Sequence, residues 1–119
     1  MPQSTLSIFN QATSVFQQMN EAYVAGDSLT VRTLSRWLTC LSATAAATSR
    51  LELEAAKLAT EAYTDIWTCA EESNRTSDQS VKDCYERQNE LTAQAAGVDG
   101  YAQQVARYAA LGLAYVERL

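Results

Sequence analysis

The sequence predicts an all-α protein: one bundle of four antiparallel helices meeting along heptad-like seams, or five if the long second helix breaks near Ser49. Three observations predict it. The chain has four Gly and a single Pro at position 2, and it is rich in Ala, Gln, Glu and Leu; such a chain forms helix nearly throughout. No stretch alternates apolar and polar residues, and no hairpin dipeptide is present, so strands are not expected. Apolar residues instead recur in steps of three and four. At 119 residues the chain supports one core and not two, so residues 1–119 read as a single domain.

The first helix lies in "STLSIFNQATSVFQQMNEAYVAG". Phe9, Ala12, Phe16, Met19 and Tyr23 form its seam, and Ile8, Val15 and Ala22 widen the face. Ser4 is a natural N-cap and Gly26 a natural stop. Asp27 or Ser28 then caps the second helix, whose seam is Val31, Leu34, Leu38, Leu41 and Ala45, with Trp37 beside it. The seam resumes at Leu51, Ala55, Leu58, Ala62, Ile66 and Cys69. Joining the halves takes two steps of three through Thr48, a slip in register. Either one long helix runs through, or Ser49 and Glu52 form a capping box and start a new one. No Gly or Pro forces a break, so the single helix is preferred.

"EESNRTSDQS" reads as a polar loop, with Ser77 or Asp78 capping the next helix. That helix carries Val81, Cys84, Gln88, Leu91 and Ala95. "GVDG" at 97–100 is expected to end it, with Gly97 as stop and Asp99 as the next cap. The last helix places Val98, Tyr101, Val105, Tyr108, Gly112, Tyr115 and Leu119 on one face. Its tyrosines fall every seven residues and match the aromatic series Phe9, Phe16, Tyr23. Aromatic residues at heptad spacing are usually core.

Charge excludes much of chemistry. The net charge is -5 and the nine basic residues are scattered, which is the opposite of a phosphate-tracking surface, so no nucleic-acid partner is expected. There is no histidine, no glycine-rich phosphate loop and no Ser–His pair. Without His, the carboxylates cannot supply the Glu-x-x-His pairs of a di-iron bundle. No metal, no cofactor and no catalytic residue is assigned, and the protein reads as a non-enzyme. Cys69 and Cys84 sit almost symmetrically about the loop, so a disulfide between them is geometrically reasonable; two buried thiols are the plainer expectation. Cys40 reads as a packed core thiol. "NRT" at 74–76 matches a glycosylation acceptor by chance. Residues 1–20 lack the marks of a secretory signal, and no stretch reaches the length of a transmembrane span. A cytoplasmic protein is expected, secreted or periplasmic only if a signal had been trimmed.

The most informative feature is asymmetry. Residues 1–49 hold four charged side chains (Glu21, Asp27, Arg32 and Arg36), and residues 50–119 hold the other nineteen. Mildly polar outer faces can be desolvated without burying ions, so the first half suits an interface. The expected function is a protein–protein interaction module, such as a small bacterial or phage inhibitor, immunity or adaptor protein. It would bind a partner or itself through Phe9, Phe16, Tyr23, Arg32, Arg36 and Trp37, with a homo-oligomer expected. One alternative is an amphipathic-helix coat on a lipid or granule surface. Another is a small-anion site built from Arg32, Arg36 and Arg50.

Overall fold

A computed structural model describes residues 4–119. These residues are 90% helix with no strand, in three helices: α1 (Thr5–Val24), α2 (Ser28–Glu72) and α3 (Gln79–Glu117). The expectation of four or five helices is therefore wrong, and both errors lie at anticipated helix ends.

The first anticipated end is Ser49. Its hydroxyl donates to the Ala46 carbonyl at 3.0 Å, one turn back within α2, so it does not cap a new helix. The least exposed positions run Leu41, Ala45, Ser49, Leu53, three steps of four. At about 3.6 residues per turn these positions stay on the face that the helix buries on either side of them, so no break is needed. The second anticipated end is "GVDG". Leu91, Ala95, Val98, Ala102, Val105, Ala109 and Gly112 are all buried or half-buried and keep alternating steps of four and three straight through it. Each glycine in a helix interior costs about 1 kcal/mol relative to Ala, less than an unbroken seam returns. Asp99 is no cap: its carboxylate accepts from Gln103 Nε2 at 2.8 Å within the helix.

The true ends follow local chemistry. Ser4 Oγ accepts from the Ser7 amide at 3.1 Å and opens α1. Gly26, at φ +75°, closes it in the left-handed region that a side chain disfavours. Asp27 opens α2. Its carboxylate accepts from the Thr30 hydroxyl at 2.6 Å and the Thr30 amide at 3.2 Å, and these bonds, the hydroxyl first, hold its pKa below the usual carboxylate range. Between α2 and α3, Asn74 takes a positive φ of 57°, which short polar side chains tolerate, and Arg75 pairs with Asp78 at 2.9 Å.

The chain divides into two compact units: residues up to Arg50 with Val98–Leu119, and Leu51–Gly97. The first contains all of α1 and parts of α2 and α3. Ile8, Ala12, Val15, Met19 and Ala22 from α1 are buried with Val31, Leu34, Leu38, Leu41 and Ala45 from α2 and Val105 and Ala109 from α3. The expected α2 seam is thus the observed one, while the centre of the α1 seam lies one residue earlier than expected. Phe9, Phe16 and Tyr23 flank the core and are partly buried. They pack in order on the tyrosines of α3: Phe9 tilted against Tyr101 at 5.1 Å, Phe16 stacked on Tyr108 at 4.7 Å and Tyr23 stacked on Tyr115 at 4.6 Å. The order shows that α1 and the end of α3 run parallel, as they must once α3 does not turn at 97–100. The antiparallel expectation fails for this pair. Each such contact adds about 0.5–1.5 kcal/mol beyond burial, and Thr13 Oγ1 donates to the Tyr108 hydroxyl at 3.3 Å.

The second unit is a hairpin of α2 and α3 alone. Its inner row on α3 is the expected Val81, Cys84, Gln88, Leu91 and Ala95, buried or half-buried. Its inner row on α2 is Leu53, Ala56, Thr60, Tyr63, Trp67 and Ala70, mostly half-buried. Gln88 Nε2 donates to Thr64 Oγ1 at 2.6 Å and to the Thr60 carbonyl at 3.3 Å. Trp67 packs on Tyr85 at 5.1 Å and donates its indole N–H to Glu71 at 2.6 Å. The expected α2 seam of Leu51, Ala55, Leu58, Ala62, Ile66 and Cys69 is exposed throughout, because at about 3.6 residues per turn the face buried before Ser49 continues through Leu53, Thr60 and Trp67, and this seam lies on another side of the helix.

Candidate interaction surface

The six side chains expected to bind a partner separate into two groups. Phe9, Phe16 and Tyr23 are engaged in the aromatic ladder with α3, and their exposed area is only partial. Arg32, Arg36 and Trp37 are exposed on α2. The arginines share a face at i, i+4 spacing. Arg50, also exposed, lies fourteen residues beyond Arg36, roughly 21 Å along the axis at about 1.5 Å per residue, so the three guanidinium groups do not converge on one anion.

The cysteines also depart from expectation. All three are free thiols, so the Cys69–Cys84 bridge is not formed. Cys69 is exposed and Cys84 half-buried: Cys69 lies beside the inner row at Ala70, while Cys84 is part of the inner row of α3. Cys40 is exposed, two positions from the buried Leu38, on the outer side of its helix. Among the described residues no three His, Cys, Asp or Glu side chains are grouped to hold a metal ion. No helix there is long and apolar enough to cross a membrane.

The arrangement that stands out is the displaced α2 seam. Leu51 is 67% exposed, Leu58 66% and Ile66 42%, with exposed Ala55 and Ala62 between them. The spacing puts these five on one side of one helix over about four turns. Scattered exposed apolar residues are normal on a protein surface, whereas a contiguous stripe marks a contact surface. The other exposed large apolar residues, such as Leu6, Val24, Leu29 and Leu113, do not recur three times at seam spacing on one helix. Towards the loop the stripe runs into an open groove of about 420 Å³. Asp65, Ile66 and Cys69 line it from α2, and Ser80 and Val81 from α3.

The spacing of Leu51, Leu58 and Ile66 is legible in the sequence as a seam; their exposure is not, because it depends on which face of α2 meets α3. Compared with known proteins, the chain matches no protein-family model, no curated protein and no solved structure.

Proposed function

We propose that this is a non-enzymatic protein–protein interaction module whose receiving surface is the apolar stripe of the α2–α3 hairpin. The observation that carries the reading is the exposure of Leu51, Leu58 and Ile66 at seam spacing, in a unit with only two helices. Helices in water bury such a seam against another helix. The alanines between the larger residues leave hollows into which side chains of a facing helix can pack.

The low-charge N-terminal half serves this reading as scaffold. Its aromatic side chains hold α1 against α3, and Trp37, Arg32 and Arg36 make a smaller surface without a comparable stripe. A cytoplasmic setting belongs to the same proposal, since the exposed thiols Cys40 and Cys69 persist where thiols are kept reduced.

Site-specific photo-cross-linking in the protein's own host tests the reading. A benzophenone side chain at position 58 is expected to give discrete protein adducts, while one at position 86, exposed on the outside of α3, gives none. The same adduct pattern at both positions, or no adduct at 58, would sink it.

A further inference from the structure

Resting on that reading, we infer that the hairpin stripe receives a cationic amphipathic helix, a partner segment whose apolar seam covers Leu51, Leu58 and Ile66 and whose Lys or Arg side chains meet Glu54, Glu61 and Asp65. Glu54 lies three residues after Leu51 and four before Leu58. Glu61 lies three after Leu58, and Asp65 three after Ala62. At these spacings side chains are neighbours on a helix surface, so the carboxylates form one border of the stripe. All three are exposed, and the ion pairs Arg75–Asp78 and Arg87–Glu90 leave them unengaged. The nearest cations on α2 are Arg50, four residues before Glu54, and Lys57, three after Glu54 and four before Glu61; among the described residues neither forms an ion pair with them. Lys57 and Glu61 both line a second groove of the hairpin, with Thr60 and Thr92.

The hairpin as a whole has the same sign. Leu51–Gly97 contains ten carboxylates and only four basic residues, Lys57, Arg75, Lys82 and Arg87. Such a field attracts a basic partner and raises its rate of encounter. It also argues against two other occupants. In an antiparallel two-fold pair the stripe meets itself with the same flank of each helix facing, which brings the Glu54, Glu61 and Asp65 borders of both copies together, like against like. An anionic lipid surface is repelled by the same border.

Three fluorescently labelled 18-residue peptides test the inference by anisotropy against the intact protein. Two are idealised helices with an identical leucine seam, flanked by Lys in one and by Glu in the other. The third has the Lys peptide's composition in an order that scatters the leucines. The Lys-flanked helix is expected to bind at least tenfold more tightly than either control. Leu51→Ser with Leu58→Ser should weaken it at least tenfold while leaving the circular dichroism unchanged, since both leucines are two-thirds exposed. Glu54→Gln with Glu61→Gln and Asp65→Asn, which removes no apolar contact, should erase the preference for Lys over Glu. Equal binding of the scattered peptide would show attraction by charge alone and overturn the inference. Equal binding of both seamed helices would overturn the cationic partner but leave the interaction reading standing. A protein that binds no peptide and runs as a dimer in light scattering, with Leu58→Ser halving its mass, would assign the stripe to a second copy instead. A monomer that binds none, with no cross-link at position 58, would remove both.

Discussion

The three-helix unit and the two-helix hairpin are built from the same two helices, α2 and α3, yet they treat apolar residues differently. In the first unit α2 buries Val31, Leu34, Leu38, Leu41 and Ala45 completely or nearly so, because α1 and α3 both pack there. In the hairpin only Ala70 and Val81 fall among the buried hydrophobic residues. Two helices shield one line of contact between them and leave their flanks in water. A helix seam is therefore an instruction to pack, and whether it is satisfied inside the chain depends on how many helices are present at that level. In the first unit it is satisfied within the chain; in the hairpin a second apolar line is left over.

The sharpest way to break that contrast is to truncate one leucine in each region. Leu38 is fully buried, and Leu38→Ala should cost about 2–5 kcal/mol through lost burial and a residual cavity. Leu58→Ala should change stability by no more than about 0.5 kcal/mol, as surface substitutions do. Urea denaturation followed by circular dichroism measures both. Comparable losses would mean that Leu58 is covered in the isolated protein and that the hairpin has no free seam. Hydrogen exchange adds a second readout: amides of 51–72 should exchange faster than those of 31–45, where local opening must expose the core.

Two glycines of α3 sharpen the comparison at a smaller scale. A Cβ on Gly112 would stand 3.1 Å from Ser35 Oγ and 3.3 Å from Met19 Sδ, so side chains of α1 and α2 both meet α3 at this point. Gly112→Val should therefore destabilise by about 1–3 kcal/mol through overpacking. A Cβ on Gly100 meets nothing within 4 Å. Gly100→Ala should stabilise by up to about 1 kcal/mol, by helix propensity alone. If thermal melts instead show Gly100→Ala to be destabilising, residues 97–100 form a turn, and α3 is two helices after all.

That segment also shows how far the sequence could be read. The caps at Ser4 and Asp27, the stop at Gly26 and the polar loop near 73–78 were legible because each rests on one residue's local chemistry. The core seam of α2 before Ser49 and the inner row of α3 were legible from spacing. The helix count was not, because "GVDG" carries every local sign of a turn; what overrides them is the register shared by Leu91–Val98 and Ala102–Gly112, a property of the flanking segments. The hairpin stripe was half legible. Leu51, Leu58 and Ile66 stand at seam spacing, but the face that α2 buries before Ser49 continues unshifted through Leu53, Thr60 and Trp67, which leaves that seam turned outward. The aromatic series at Phe9, Phe16 and Tyr23 was visible at its heptad spacing, whereas its role as a rib against parallel tyrosines depends on the direction of α3.

The smallest expected effect lies at the start of α2, where Asp27 joins α1 to the helix shared by both units. Its two bonds from Thr30 favour the charged carboxylate, so its folded pKa lies below the usual aspartate value. Folding at higher pH therefore gains from this group, because the unfolded chain binds the proton more tightly. The contribution is fully present above the unfolded value, about 3.9, and is lost as pH falls through the lower folded value. Asp27 is fully exposed, so screening keeps the effect small. Carboxyl chemical shifts titrated by NMR should place the midpoint of Asp27 below the ordinary aspartate value, about 3.9. Thr30→Val, which removes the hydroxyl and keeps the backbone amide, should raise the Asp27 midpoint part of the way back. An unchanged midpoint in that variant would mean that the Thr30 hydroxyl does not hold the carboxylate. It would also leave the junction between α1 and α2 to the Thr30 amide and the turn at Gly26 alone.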